Sequence, residues 1–190
     1  QHLTASGAVV IEQNTGKVLY GKQEHQRLYP ASTTKVLTAL IAAEYGNLDE
    51  IVVVGEEVLM IPLDSSSACL EVGERITLRD LVYGLLVNSG NDAGNTIAVH
   101  IARKDSGKNL SIEDALEYFA DMMNKRAEEA GALDSNFVNP HGYHDPDHYT
   151  TAYDLAMIGR EASRNSFVRE AASITVMQNG YWESGEPRFW

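Results

Sequence analysis

The sequence carries a single cysteine, Cys69, among 190 residues, so no disulfide closes within the chain and its stability has to come from a packed core. Long apolar runs are also absent, and no stretch approaches the roughly 18 residues that a membrane-spanning helix requires. No charged-then-apolar leader opens the chain at Gln1, which reads as either cytoplasmic or already processed. Positive charge is scarce. The 15 Lys and Arg stand against 27 Asp and Glu, a formal net charge of −12, which argues against a surface that tracks nucleic-acid phosphates, because such a surface needs a basic face. What is present is an ordinary globular mixture, 44% hydrophobic and 22% charged, long enough to fold as one compact domain.

Along the chain, "SGAVVIEQNTGKVLYGK" (6–22) alternates apolar and polar residues around "NTG", whose Asn and Gly tolerate the dihedrals of a tight turn. It reads as a β-hairpin. Residues 33–45 read as a helix after Pro30, with Gly46 as its stop, and "IVVV" (51–54) as a short buried strand or extended segment. Three helices announce themselves by a hydroxyl residue followed three positions later by Asp: Thr77 with Asp80 for 77–88, Ser111 with Asp114 for 112–130, and Thr151 with Asp154 for 151–162. Residues 92–104 form another short helix. The 112–130 segment carries one apolar stripe of Ile112, Ala115, Leu116, Phe119, Met122, Met123 and Ala130. Residues 173–184 alternate as a strand entering a turn. Strands, then helices, then a strand predict an α/β (α+β) fold, an antiparallel sheet flanked by helices with a helical subdomain.

"YPASTTKVLTALIAAEYG" (29–46) sets Ser32 and Lys35 at the head of an apolar helix. Positions i and i+3 share a helix face, so the hydroxyl and the amine are neighbours. A lysine on a buried helix N-terminus loses its charge readily, because desolvation and the helix dipole both oppose the cation. A neutral amine beside a hydroxyl is a general base for a serine nucleophile. The tetrad alone is weak evidence, since 13 serines and six lysines give about 0.4 chance matches. Ser32 as a simple cap with Lys35 reaching to solvent remains open on this motif.

The second feature is "LVNSGNDAG" (86–94), in which Ser89 and Asn91 occupy a tight connection between two apolar helices. Ser163 and Asn165 repeat the spacing in "SRN", where a polar loop accounts for them. Taken in order, "PASTTK", "LEVGERITLRDLVYGLLVNSGNDAG" and "NPHGYHDPDHYTTAYDLAMIGREA" resemble the penicillin-binding D-alanyl-D-alanine carboxypeptidases, within the penicillin-binding protein and serine β-lactamase superfamily. The likeness spans nearly the whole chain. It implies a penicillin-binding protein/β-lactamase-like fold and a serine carboxypeptidase that needs no cofactor and no metal. Its substrate would be a peptidoglycan stem peptide ending in D-Ala-D-Ala, and β-lactam antibiotics would trap it. By the resemblance, Ser32 is the acylated nucleophile, Lys35 its base, Ser89 the proton relay to the leaving D-alanine, and Asn91 a holder of the substrate peptide and of Lys35. The Ser32 backbone N–H would supply half of an oxyanion hole.

The family's third motif, K-T-G, is not found, because the last lysine is Lys125. The resemblance places that motif beyond Trp190 and implies that residues 1–190 are an incomplete transpeptidase-like domain, truncated before its C-terminal strands. It also implies an exported, extracytoplasmic enzyme that meets the membrane only through an anchor outside this chain. No E-x-x-L-N string of the class A β-lactamases occurs. Three features carry lesser expectations. "HGYHDPDHY" groups His141, His144, Asp145, Asp147 and His148, which reads as a polar loop before it reads as a zinc site, with His141 close to the cleft. Cys69 reads as a small buried side chain. The five methionines read as core filler, and Tyr181, Trp182, Phe189 and Trp190 as packing.

Overall fold

The computed structural model describes residues 3–181 and 185–190. A hairpin of β1 (Ala8–Ile11) and β2 (Val18–Lys22) opens it. Its turn is organised by Glu12, whose carboxylate accepts from the backbone N–H groups of Asn14 and Thr15 and from the Thr15 hydroxyl. A 3₁₀ turn at Ala31–Thr34 leads into α1 (Lys35–Tyr45), so the predicted helix exists but its first turn is wound tighter than an α-helix.

There follow β3 (Ile51–Val53), a 3₁₀ turn (Glu56–Met60), β4 (Arg75–Thr77), α2 (Leu78–Val87), α3 (Asn91–Ser106), α4 (Ile112–Ala130), α5 (Ala152–Arg164), α6 (Ser166–Ala171), β5 (Gln178–Tyr181) and β6 (Pro187–Phe189). The three hydroxyl–Asp signals are true caps: the side chains of Thr77, Ser111 and Thr151 accept from the backbone N–H of Asp80, Asp114 and Asp154. The second S-x-N string turns out to cap α6, since Asn165 accepts from the N–H groups of Phe167 and Val168.

All strand pairing is antiparallel, in three two-stranded ladders: β1–β2, β3–β4 and β5–β6. The helices carry the core. α1 and α3 are buried along most of their length, and α2 and α4 pack against them through Leu81, Leu85, Phe119 and Met123. The α4 stripe behaves as its spacing predicts, with Ala115, Phe119, Met123 and Ala130 buried and Ile112, Leu116 and Met122 packed at its margin.

Four expectations need correction. Only Val52 and Val54 of "IVVV" are buried; Ile51 and Val53 face outward, as alternation along a strand dictates. Met60 is 46% exposed rather than core filler. Cys69 is exposed, held at φ +58° on a segment stretched over the α2–α3 connection. In the aromatic tail, Trp190 is buried and donates Nε1–H to the Ala68 carbonyl at 3.0 Å. Phe189 is exposed. Trp182, with the rest of 182–184, lies outside the described residues.

Candidate active site

The site is built where α1, the α2–α3 connection and the 137–149 loop meet. Ser32 is exposed in the 3₁₀ turn, while Lys35, one turn on, is 2% exposed. Lys35 Nζ lies 3.0 Å from Ser32 Oγ and donates to the His141 carbonyl at 2.8 Å. Ser89 Oγ donates to Ser32 Oγ at 3.0 Å. The serine oxygen is therefore flanked by an amine on one side and a hydroxyl on the other.

Backbone strain gathers here. Ala31 (φ +49°), Cys69 (φ +58°) and Ser89 (φ +54°) are non-glycine residues in the left-handed region, all three on segments that border Ser32 or Ser89. Such conformations cost about 1–3 kcal/mol each and persist only where the surroundings impose them.

Burial pushes the Lys35 amine down to about 8, against a weaker opposing pull from the Asp92 carboxylate. A carbonyl cannot donate, so one N–H is committed to His141. In the neutral amine the lone pair is then available to Ser32 Oγ–H. Lys35 reaching to solvent, left open by the sequence, does not occur. Asn91 begins α3, buried, with its N–H bonded to the Ser66 carbonyl. Among the described residues no hydrogen bond joins it to Lys35.

Two contributors escaped the sequence reading. Asp92 is 1% exposed, and its carboxylate accepts from Ser67 Oγ (2.6 Å) and from the N–H groups of Ala68 (2.7 Å), Leu70 (3.0 Å) and Ala93 (2.9 Å). It ties the 67–70 segment to the loop that carries Ser89. An Asp followed by two small residues gives no signal of this. Asp92→Asn turns one acceptor toward donors, and we expect a loss of about 2 kcal/mol. In thermal unfolding that is a Tm lower by about 4–8 °C for a chain of this size; an unchanged Tm would remove Asp92 as the tie.

The second contributor is the backbone of the 137–149 loop, whose His141 carbonyl accepts from Lys35. The five His and Asp residues of "HGYHDPDHY" do not converge, and among the described residues no three His, Cys, Asp or Glu side chains gather as a metal would require. His144 packs edge-on against Tyr29, and Asp145 caps the Asp147 N–H. His141, as expected, lies at the cleft, and burial with the nearby Lys35 charge lowers its imidazole to about 3.

A family model described as D-alanyl-D-alanine carboxypeptidase matches residues 1–184. The chain is 33% identical over 193 residues to the D-alanyl-D-alanine carboxypeptidase DacF of Bacillus subtilis, covering 98% of this chain and 45% of that protein. It is 34% identical over 170 residues to DacA of Haemophilus influenzae, covering 86% and 40%. The chain thus spans less than half the length of these relatives. The crystal structure of the Streptomyces K15 DD-transpeptidase superposes with a TM-score of 0.87 at 27% identity, over all of this chain and 74% of that one.

Proposed function

The chain belongs to the D-alanyl-D-alanine carboxypeptidase family, and on that premise we propose that the protein is a serine-type hydrolase that removes the terminal D-alanine from peptidoglycan stem peptides. The observation that carries this is a buried, readily neutralised Lys35 amine 3.0 Å from an exposed Ser32 hydroxyl.

In the first half-reaction Lys35 takes the Ser32 proton and Oγ attacks the penultimate D-alanine carbonyl carbon. The tetrahedral oxyanion forms beside the Ser32 backbone N–H, at the N-terminal end of the helix where donors are unspent. The C–N bond then breaks, and the departing amine receives the proton of Lys35 through Ser89, whose hydroxyl is already bonded to Ser32 Oγ. In the second half-reaction water attacks the ester as Lys35 accepts its proton, and Lys35 returns that proton to Ser32 Oγ as the C–O bond breaks and the acid departs. Asn91, at the start of α3 beside the loop that carries Ser89, orients the peptide. A β-lactam presents a strained amide to the same oxygen and acylates it. Because peptidoglycan lies outside the cytoplasmic membrane, this function places the protein in the cell envelope.

Labelling of the full-length protein with a fluorescent penicillin tests the reading. We expect one covalent adduct, on the peptide containing Ser32, absent from Ser32→Ala. A folded wild-type protein that takes no label would leave a binding protein of the same fold and end the enzyme reading. The likeness to a DD-transpeptidase favours asking in the same assay whether an added amine competes with water for the acyl group.

A further inference from the structure

We infer that His148 is a positioning residue for the Lys35 base: it locks the 137–149 loop against the Ser32–Lys35 turn so that the His141 carbonyl stands where the amine needs an acceptor. The inference rests on the proposed role of Lys35 and adds a residue to it.

His148 is 1% exposed, and both of its ring nitrogens are engaged. Nδ1 accepts from the Val138 N–H at 3.0 Å, and Nε2 lies 2.8 Å from Thr34 Oγ1. An imidazole that accepts at Nδ1 carries its proton on Nε2, so Nε2–H donates to Thr34. Burial agrees, lowering the imidazole to about 4 against a smaller opposing pull from Asp145 and so keeping the ring neutral. Phe137 packs edge-on against the ring and fixes its plane.

The consequences reach Lys35 by a short path. Thr34 immediately precedes Lys35, and Val138 opens the run that ends at His141. One ring therefore bridges the residue beside the base and the strand of loop that supplies the base's acceptor. Thr38 Oγ1 donates to the Pro140 carbonyl at 2.6 Å and completes the latch one turn further along α1. Without the ring, the Thr38–Pro140 and Lys35–His141 hydrogen bonds are what ties this run to α1; Asn124 still holds Phe137, but residues 138–141 can shift off the turn and admit water to Lys35. A hydrated amine regains its charge, so the change appears in the titration of the base. Asp92 is the carboxylate whose charge acts on Lys35, and it is untouched by the substitution.

The test is the pH profile of penicillin acylation in the full-length protein, which reports the Lys35 ionisation. In His148→Ala we expect the rate at pH 7 to fall by about 10–100-fold, the scale of a misplaced catalytic group, and the profile's midpoint to move upward by about one pH unit. A merely structural loss would lower the amount of folded protein and leave the midpoint in place. His148→Gln, whose amide reaches the Nε2 position and donates to Thr34, should restore most of the rate and the original midpoint. Thr34→Val should reproduce the shifted profile in a second, smaller change. A folded His148→Ala with the wild-type midpoint overturns the inference. A wild-type protein that fails to acylate at all overturns the proposed function instead.

Discussion

Lys35→Ala is expected to abolish acylation of Ser32, by about 10³-fold or more, while the protein stays folded. The size follows from the role, since a positioned base contributes about 10²–10⁴-fold and a serine hydroxyl without one is a poor nucleophile. The retained fold follows from two opposed terms. Lowering the amine from 10.5 to about 8 means that the folded state bears a cost of about 3 kcal/mol wherever the lysine is protonated in both states. Removing the side chain relieves that cost and leaves a cavity worth about 2–4 kcal/mol. The two nearly cancel at pH 7, so the Tm should move by only a few degrees.

The sign of the pH dependence is fixed by the same shift. Below about pH 8 the amine is charged and the acylation rate rises about tenfold per pH unit; above it the rate levels. Stability moves the same way. Between pH 8 and 10.5 the unfolded chain holds a proton the folded one has released, so folding strengthens with rising pH across that window and is weakest, in this term, below it. Rapid-quench penicillin acylation between pH 6 and 10, together with thermal melts, measures both. A rate indifferent to Lys35→Ala would dismiss it as the base.

The pairing of Ser32 with Lys35 was legible because helix periodicity converts a spacing of three into contact, and the contact is 3.0 Å. The three capped helices were legible for the same reason, a local signal acted out locally. What the sequence hid is long-range. Asp92 looks like any first-turn acid of a helix, yet its partners lie 22 to 25 residues upstream. Cys69 looks like a small core residue, and its exposure follows from being held by that clamp in an outward-facing left-handed turn. The His-rich loop advertised a ligand set because composition cannot show direction. Folded, its buried imidazoles are spent on the backbone and on Thr34. The loop's purpose is visible only when His141 and Lys35, 106 positions apart, are brought together.

That loop leads to the second large effect, Gly142→Ala. Gly142 has φ +83°, and a Cβ there would meet the Ala31 carbonyl oxygen at 1.8 Å and its carbon at 2.4 Å, with Thr34 Oγ1 at 2.8 Å. Backbone atoms cannot rotate aside, so the loop must lift from the 3₁₀ turn. Lifting breaks the Lys35–His141, Thr38–Pro140 and His148–Thr34 hydrogen bonds together. Each is worth about 1 kcal/mol net and more where a buried group is left unpaired, and the left-handed backbone adds about 1 kcal/mol for any residue with a Cβ. The sum is about 4 kcal/mol or more, a fall in Tm of about 8–16 °C, with acylation down by more than about 100-fold. Gly107→Ala separates the causes. Gly107 also has positive φ (+65°) but nothing within 4 Å of its Cβ position, so it should lose only the conformational part and keep its labelling. Equal melting temperatures for the two variants would mean that the loop does not press against Ala31, and the latch around Lys35 would lose its basis.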